Sequence, residues 1–433
     1  MKFFVKQILD IKNKGIKEFF KKIRLFIISI FNFFFSIIFL PFCILIKLLS
    51  PFLLFRIEAL PTQNFGNFAA YTAMYYSKKK LGLENLSIKH VDLFYIPPNF
   101  KNYNKHLAKM WARKLKILPS IILHPMKKVL NYMPSQEKHS IPIFHTKIER
   151  DINNIVKKCR PLEFTKDENI KGLNILKNFG LSEKDKFVSL IIRDDAYSYK
   201  KIPKDMHDNY YHQFRHYNIN SFKLTAESLT QKGYFVFRMG NVVNEKFNLN
   251  NPKVIDYANS KLKSDFMDIY IGAKSIFCIS TDTGYQDIPG VFDKPIAQLP
   301  IPLGGALSYS DKFFLLTKKH ICKLTGKTLN MDEIFNRNVG FAYDTKIYEE
   351  NNVKLEDPSS EEIRDFVLEV LDFVENKNNQ NALDLQKKFQ KAFEKNIKKF
   401  EHQKGRFGKN LLMHGQIRAK YSKNFLINNP SWI

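Results

Sequence analysis

SIFCISTDTGYQDIPGVFDKPIAQL, residues 275–299, holds the pattern on which the fold turns. An apolar, β-prone run at 275–280 stops abruptly at Thr281-Asp282-Thr283-Gly284, and a second strand-like run begins at Pro295. Strands that are apolar along their whole length are buried on both faces, as in a parallel sheet covered by helices. The same punctuation recurs upstream. KFVSLIIR (186–193) reads as a buried strand, and 222–232 as a helix closed by Gly233. Residues 234–238 and 253–257 read as further strands, and a helix follows from 265 to about 273.

An earlier series is less regular. Strands are expected at 55–60, 91–96 and 117–123, with helices at 68–80 and 103–115 between them. An irregular stretch, 124–163, leads to a helix near 167–179. Two alternating series predict an α/β protein of two doubly wound, Rossmann-like lobes, 57–178 and 179–345, with a cleft between them. Residues 346–433 form a tail, charged and helical at 360–400, that is expected to pack across both lobes.

At 433 residues with 44% apolar content, the chain is long enough for two ordinary domains plus extensions. Its four cysteines are scattered with no CxxC pair, which argues against a disulfide framework or a zinc site. The net charge is +27. Part of that excess reflects a Lys-, Asn-, Ile- and Phe-rich composition; the rest calls for an anionic partner such as lipid or nucleotide. Nucleic acid is not expected, because the aromatics sit in apolar runs rather than interleaved with lysine.

The N-terminus differs from everything after it. Residues 1–24 carry eight Lys and Arg against Asp10 and Glu18, interleaved with apolar positions. This predicts a basic amphipathic helix on anionic membrane lipid. Residues 25–46 are uncharged and about long enough to span a bilayer, which takes roughly 20 residues. Pro41 breaks the run, and Lys47, Arg56 and Lys78-Lys79-Lys80 make its far side basic as well. By the positive-inside rule both sides then face the cytoplasm, so a re-entrant or monotopic hairpin is preferred to a simple span. Residues 1–56 are thus read as a membrane-associated segment.

Ligands of open parallel sheets bind beyond the carboxyl ends of the strands. There the second series delivers Arg193-Asp194-Asp195, Arg238-Met239-Gly240-Asn241, Asp256-Tyr257 and Ser280-Thr281-Asp282-Thr283-Gly284. Small residues after a strand leave amides and hydroxyls exposed, and arginines supply bidentate partners for phosphate oxygens. Together they describe a diphosphate cradle without a metal. No DxD, GxxxxGK[ST], GxGxxG or GxSxG sequence occurs, and the histidines lack ligand spacing, His207, His212 and His216 included.

IIRDDAYSY (191–199), YHQFRHYNINSF (211–222), KGYFVFRMGNVV (232–243), NPKVIDYANS (251–260), KSDFMDIYIGAKSIFCIST (263–281) and IRAKYSKNFLINNPSWI (417–433) resemble, in order and spacing, a family of glycosyltransferases of bacterial surface-polysaccharide gene clusters. The resemblance implies a GT-B-like fold of two Rossmann lobes, acceptor side first and donor side second, and a metal-independent enzyme without a cofactor. Its partners would be a nucleotide sugar and a glycan or lipid-linked acceptor, at the cytoplasmic face of the bacterial inner membrane. IIRDD also resembles the HxRRxD pattern of GDP-fucose-using fucosyltransferases, onto which Arg193 and Asp195 alone carry over, so hexosyl or deoxyhexosyl transfer is implied.

On this reading Arg193 and Arg238, with the amides of Thr281, Asp282, Thr283 and Gly284, receive the departing diphosphate. Gly240 and Ser280 line the donor pocket, and Asp256 holds the ribose. Asp195 and His212 are the candidate bases for the acceptor hydroxyl, with Asp194 and Asp268 behind them. Arg215 orients the loop or the acceptor. Asp265 and Asp268 have an alternative role at a helix N-terminus. A membrane-anchored nucleotide-binding or scaffolding protein without catalysis is the competing class.

Overall fold

The computed structural model describes residues 19–20, 22–24, 34–35, 37–84, 86–100, 102–142, 155–194, 196, 213–299, 303, 311–342, 344–376, 383–399 and 418–433. Among these residues no helix is long and apolar enough to cross a membrane. Most of the basic N-terminal segment and most of 25–36 lie outside the described residues.

The chain forms two compact units that alternate along the sequence. The first comprises 1–62, 85–101 and 114–142; the second comprises 63–84, 102–113 and 143–433. The sequence-based boundaries at 178 and 345 are therefore not where the packing divides the chain. The two helices within the first series, expected at 68–80 and 103–115, belong to the second unit.

In the first unit β1 (Leu54–Ala59) pairs in parallel with β2 (His90–Tyr95). Arg56 lies directly opposite Asp92 in the register, and their side chains meet at 2.6 and 2.8 Å, both almost fully buried. A charge pair in that position is tolerable only because its geometry is bidentate. The strand expected at 117–123 is reduced to a single parallel bridge, Ile117 to Phe94. Pro119 has a φ of −56° and opens a helix at Ser120 instead. Short apolar runs do not distinguish the two states by themselves, and a proline at a helix start decides for helix here. A first helix, α1 (Leu40–Leu49), carries Pro41 in its first turn and packs beside that later helix.

The second unit holds a parallel sheet of seven strands. In chain order these are β3 (Phe187–Ile191), β4 (Phe235–Met239), β5 (Val254–Ile255), β6 (Cys278–Ser280), β7 (Ile296–Gln298), β8 (Phe313–Leu315) and, after a separate antiparallel pair β9 (Lys319–Cys322) and β10 (Val353–Glu356), β11 (Lys420–Tyr421). The spatial order is β11-β8-β7-β6-β3-β4-β5. Every pairing within it is parallel. The order reverses between β3 and β6, the arrangement in which strand ends open toward a ligand. All residues of β3 and β4 are buried, including Ser189 and Arg238 within their mainly apolar runs.

The helices follow from their ends. With α1 already placed, they are α2 (Phe65–Lys80), α3 (Lys105–Ala112), α4 (Ser120–Asn131), α5 (Ile155–Cys159), α6 (Lys166–Asn178), α7 (Lys223–Gln231) and α8 (Asp265–Lys274). They continue with α9 (Asp287–Val291), α10 (Met331–Asn336), α11 (Thr345–Glu350), α12 (Ser360–Val374), α13 (Leu383–Lys399) and α14 (Lys423–Asn428). Thr165 and Glu168 form a reciprocal capping box at α6, as Ser359 and Glu362 do at α12. Gly233 follows α7 at a φ of +93°, the left-handed conformation that favours glycine. The C-terminal segment is stitched in by Glu369 of α12, which accepts from the Ser422 hydroxyl and the Lys423 and Asn424 amides at 2.7–3.0 Å.

Helices α6 and α8 press together at Gly172. A Cβ there would lie 2.2–2.4 Å from the ring of Tyr270. Gly172→Ala is expected to lower stability by about 1–3 kcal/mol, overpacking outweighing alanine's better helix propensity. The midpoint and slope of urea unfolding measure it, with an unchanged slope expected.

Candidate functional site

The end of β6 is joined to the end of β3 by a single side chain. The Thr281 N–H donates to the Ile191 carbonyl at 3.2 Å, the last ladder bond of that pair. The Thr281 hydroxyl then accepts from the Arg193 N–H at 2.7 Å. Thr281 is buried, so its hydroxyl continues the sheet where the ladder would otherwise end. Ser280 anchors the other side: its carbonyl accepts from Leu299 at 2.8 Å, and its hydroxyl from the Thr283 N–H at 3.4 Å.

The turn that follows is tight. Asp282 has a φ of +55°, which a non-glycine residue adopts only when its surroundings hold it there. Arg215 does so, donating to the Asp282 carbonyl at 2.5 Å and to its Oδ2 at 2.7 Å. Gln298, at the end of β7, donates to Asp282 Oδ1 at 3.4 Å. Gly284 backs onto the first turn of α2, where a Cβ on Gly66 would stand 2.6 Å from the Gly284 carbonyl oxygen.

Further cations lie around His216, next to Arg215 in the chain. Arg193 is half-buried, and its carbonyl accepts from the Tyr217 N–H at 3.2 Å. Lys318, almost buried, donates to the His216 carbonyl and to Asp357, each at 2.7 Å, and lies 4.4 Å over the ring of Tyr217. Burial pushes its ammonium below the usual lysine range, against the pull of Asp357. His216 is pushed down to about 4 by burial, then by Arg193, Lys318 and Arg215, so its ring is neutral at pH 7. Arg193, Arg215 and Lys318 thus gather around His216, and of the three Arg215 is bonded to Asp282.

Arg238 is placed elsewhere. It lies on β4, is 1% exposed, and donates to Asp256 Oδ1 at 3.0 Å. Asp256 also accepts from the Phe247 N–H and the Asn259 side chain, at 3.1 and 2.7 Å. Both residues are therefore committed to closing the loop after β4. Gly240 and Asn241 offer their carbonyls to Lys263, at 2.6 and 2.7 Å. Asp194 is a loop tie, accepting from the Ala196 N–H at 3.1 Å and the Asn244 N–H at 2.8 Å. Asp195 and His212 lie outside the described residues.

Asp268 sits on α8 and accepts from the buried Tyr257 hydroxyl at 2.9 Å. Asp265 meets the start of α3 instead, its Oδ2 accepting from the Lys105 N–H at 2.7 Å. Arg193, Arg215 and the 281–284 turn are among the residues named from the sequence; Gln298 and Lys318 are not. A polar residue ending the apolar run IAQ was the available signal for Gln298. Nothing local distinguishes Lys318 from the many other lysines.

No family model matches this chain, and no curated protein matches it. Among solved structures it is similar to a glycosyl transferase family 9 protein from Veillonella parvula DSM 2008, at 12% identity and a TM-score of 0.39, over 73% of this chain and 97% of that one. It is also similar to the E. coli ADP-heptose lps heptosyltransferase II, at 10% identity and a TM-score of 0.40, over 74% and 99%. A third similar structure is the E. coli heptosyltransferase WaaC with ADP, at 9% identity and a TM-score of 0.28, over 61% and 91%.

Burial pushes the Asp268 carboxyl up to about 6, opposed by its bond from Tyr257 and by Lys263. A carboxyl raised above its unfolded value favours the folded state at low pH and loses that contribution as pH rises from about 4 through 6. The displacement corresponds to on the order of 3 kcal/mol. Asp268→Asn keeps an acceptor for Tyr257 and removes the charge. It is expected to be stabilising at pH 8 and near neutral at pH 4, as urea unfolding at the two pH values would register.

Proposed function

We propose that this protein is a glycosyltransferase that takes a sugar from a nucleotide-sugar donor and passes it to a surface-polysaccharide or lipid-linked glycan acceptor at the cytoplasmic face of a bacterial membrane. The observation that carries this reading is the gathering of Arg193, Arg215 and Lys318 around His216, with Arg215 bonded to Asp282 and the Arg193 amide held by Thr281 beyond the ends of two adjacent parallel strands. A departing nucleoside diphosphate gains negative charge as the glycosidic bond breaks. Fixed cations and amides at that place stabilise the charge without reorganisation. The resemblance of 191–281 to polysaccharide-cluster glycosyltransferases points the same way.

In this mechanism Arg193 and Arg215 neutralise the diphosphate, and Thr281 holds the Arg193 backbone against the turn. Charge neutralisation is assigned to guanidinium groups, so neither a metal nor a cofactor is invoked. Asp195 and His212 are the proposed acceptors of the hydroxyl proton, and Arg238 with Asp256 is given the supporting role of shaping the loop after β4. A second reading, a nucleotide-binding protein of polysaccharide assembly without transfer, is favoured by one feature. Arg215 is already paired with Asp282, so a ligand must compete with that carboxylate.

Screening nucleotide sugars for donor hydrolysis and transfer separates the two readings. Transfer is expected, insensitive to EDTA, and reduced about 10²–10³-fold in Arg193→Ala, with its unfolding midpoint little changed, and in Arg215→Ala. Near-normal turnover in both variants would remove these arginines from the mechanism. Thermal stabilisation by nucleoside diphosphates without turnover of any donor would select the binding protein.

A further inference from the structure

Among the described residues, the first unit carries an apolar surface that its own fold leaves exposed. Helix α1 is two-sided in an unusual way. One side is built into the unit: Cys43 is fully buried among Ile57, Leu123, Met126 and Leu130, and Phe39 and Ile46 pack against the same cluster. The opposite side is equally apolar and faces outward. Phe42, Leu45 and Leu48 are exposed, Leu48 to 69%, and Phe52 just beyond the helix is 81% exposed. On the neighbouring α4, the first turn adds Ile121, 66% exposed, and Ile122.

Charge is kept off this face. Lys47 is the single charged residue in 40–55, and its ammonium donates to the Pro134 carbonyl. An apolar face of this kind is stable in contact with another apolar phase and costly in water. The flanking sequence says which phase. The uncharged run 25–39 enters α1 directly, and before it stand the eight basic residues of 1–24. An apolar face continued by an apolar run and then by a cationic segment matches an anionic bilayer: acyl chains beneath, phosphate headgroups alongside.

We propose that the first unit seats on an anionic lipid bilayer by the outer face of α1, Phe52 and the first turn of α4, with α1 lying in the plane of the membrane. This rests on the membrane association proposed above and decides its geometry. A spanning α1 is inconsistent with its packing, because one side is held in a protein core. At 10 residues it is also about 15 Å long, half of a hydrocarbon core of roughly 30 Å. Residues 57 onward then stay on the side of the bilayer where α1 docks.

The test uses the full chain with phosphatidylcholine vesicles and with phosphatidylcholine–phosphatidylglycerol vesicles, read by flotation. Wild type is expected to float with the anionic vesicles. The combined variant Leu45→Ser, Leu48→Ser, Phe52→Ser changes only exposed side chains, and is expected to bind at least about tenfold more weakly with an unchanged unfolding midpoint. Phe52→Trp supplies a reporter, since the native Trp111 and Trp432 are buried. Its emission is expected to shift to the blue on vesicles and to be quenched best by lipids brominated near the headgroup end of the acyl chain.

Vesicle binding by wild type that the serine variant leaves unchanged overturns the seat while leaving membrane association standing. Absence of wild-type binding overturns both. Quenching strongest at the bilayer centre overturns the in-plane placement. A dimer that the serine variant converts to monomer, with vesicle binding unaltered, would show that a second copy covers the face and would overturn the lipid assignment.

Discussion

Thr281 ties the second unit together at the place where its chemistry is proposed to occur. Its N–H completes the ladder between β6 and β3, and its hydroxyl receives the first amide beyond that ladder, that of Arg193. Two strand ends that would otherwise diverge into loops are thus held in one plane for one more residue. A threonine suits the position because a β-branched residue fits a buried strand and brings its own acceptor. Valine would fill the same volume and leave the Arg193 amide unsatisfied in a buried environment, the costly half of a hydrogen bond.

Across the second unit the charges are sorted rather than pooled. Arg215 meets Asp282, Arg238 meets Asp256, and Lys318 meets Asp357. Each pairing belongs to a different loop. The Arg238 pair is almost wholly withdrawn from water on the arginine side, which suits a fixed structural tie. The Arg215 pair is partly exposed, and Asp282 is held in a left-handed backbone conformation. A partly solvated carboxylate among cations is the kind an incoming anion can compete with, whereas the buried pair is not. The neutral state of His216 fits this arrangement, since a further positive charge there would be opposed by three cations and by burial.

Much of the second unit was legible because its signals are local. Mainly apolar strands imply burial on both faces, and β3 and β4 are buried along their whole length. The glycine after α7 set that helix's end within a residue or two. The 117–123 run shows where such reading stops. Its composition suits strand or helix equally, and Pro119 with the packing of α4 on α1 settled it as helix. In the site, the 281–284 turn was visible as small polar residues after a strand. The partner of each arginine was not, because residues 67 positions apart, such as Arg215 and Asp282, leave no periodic trace of their meeting.

The sequence by itself determined the α/β class, the buried parallel strands, the cationic N-terminus and the small polar turn after β6. All of these are written in runs of a few neighbouring residues, where backbone preference and burial pattern act directly. Tertiary structure alone decided which guanidinium meets which carboxylate, how segments 63–84 and 102–113 join the second unit, and which side of α1 stays outside. Those outcomes depend on what packs against what across long stretches of chain. A residue's partner is chosen by the geometry of the whole unit, and α1, apolar on every side, could be given an inside and an outside only by the core it rests on.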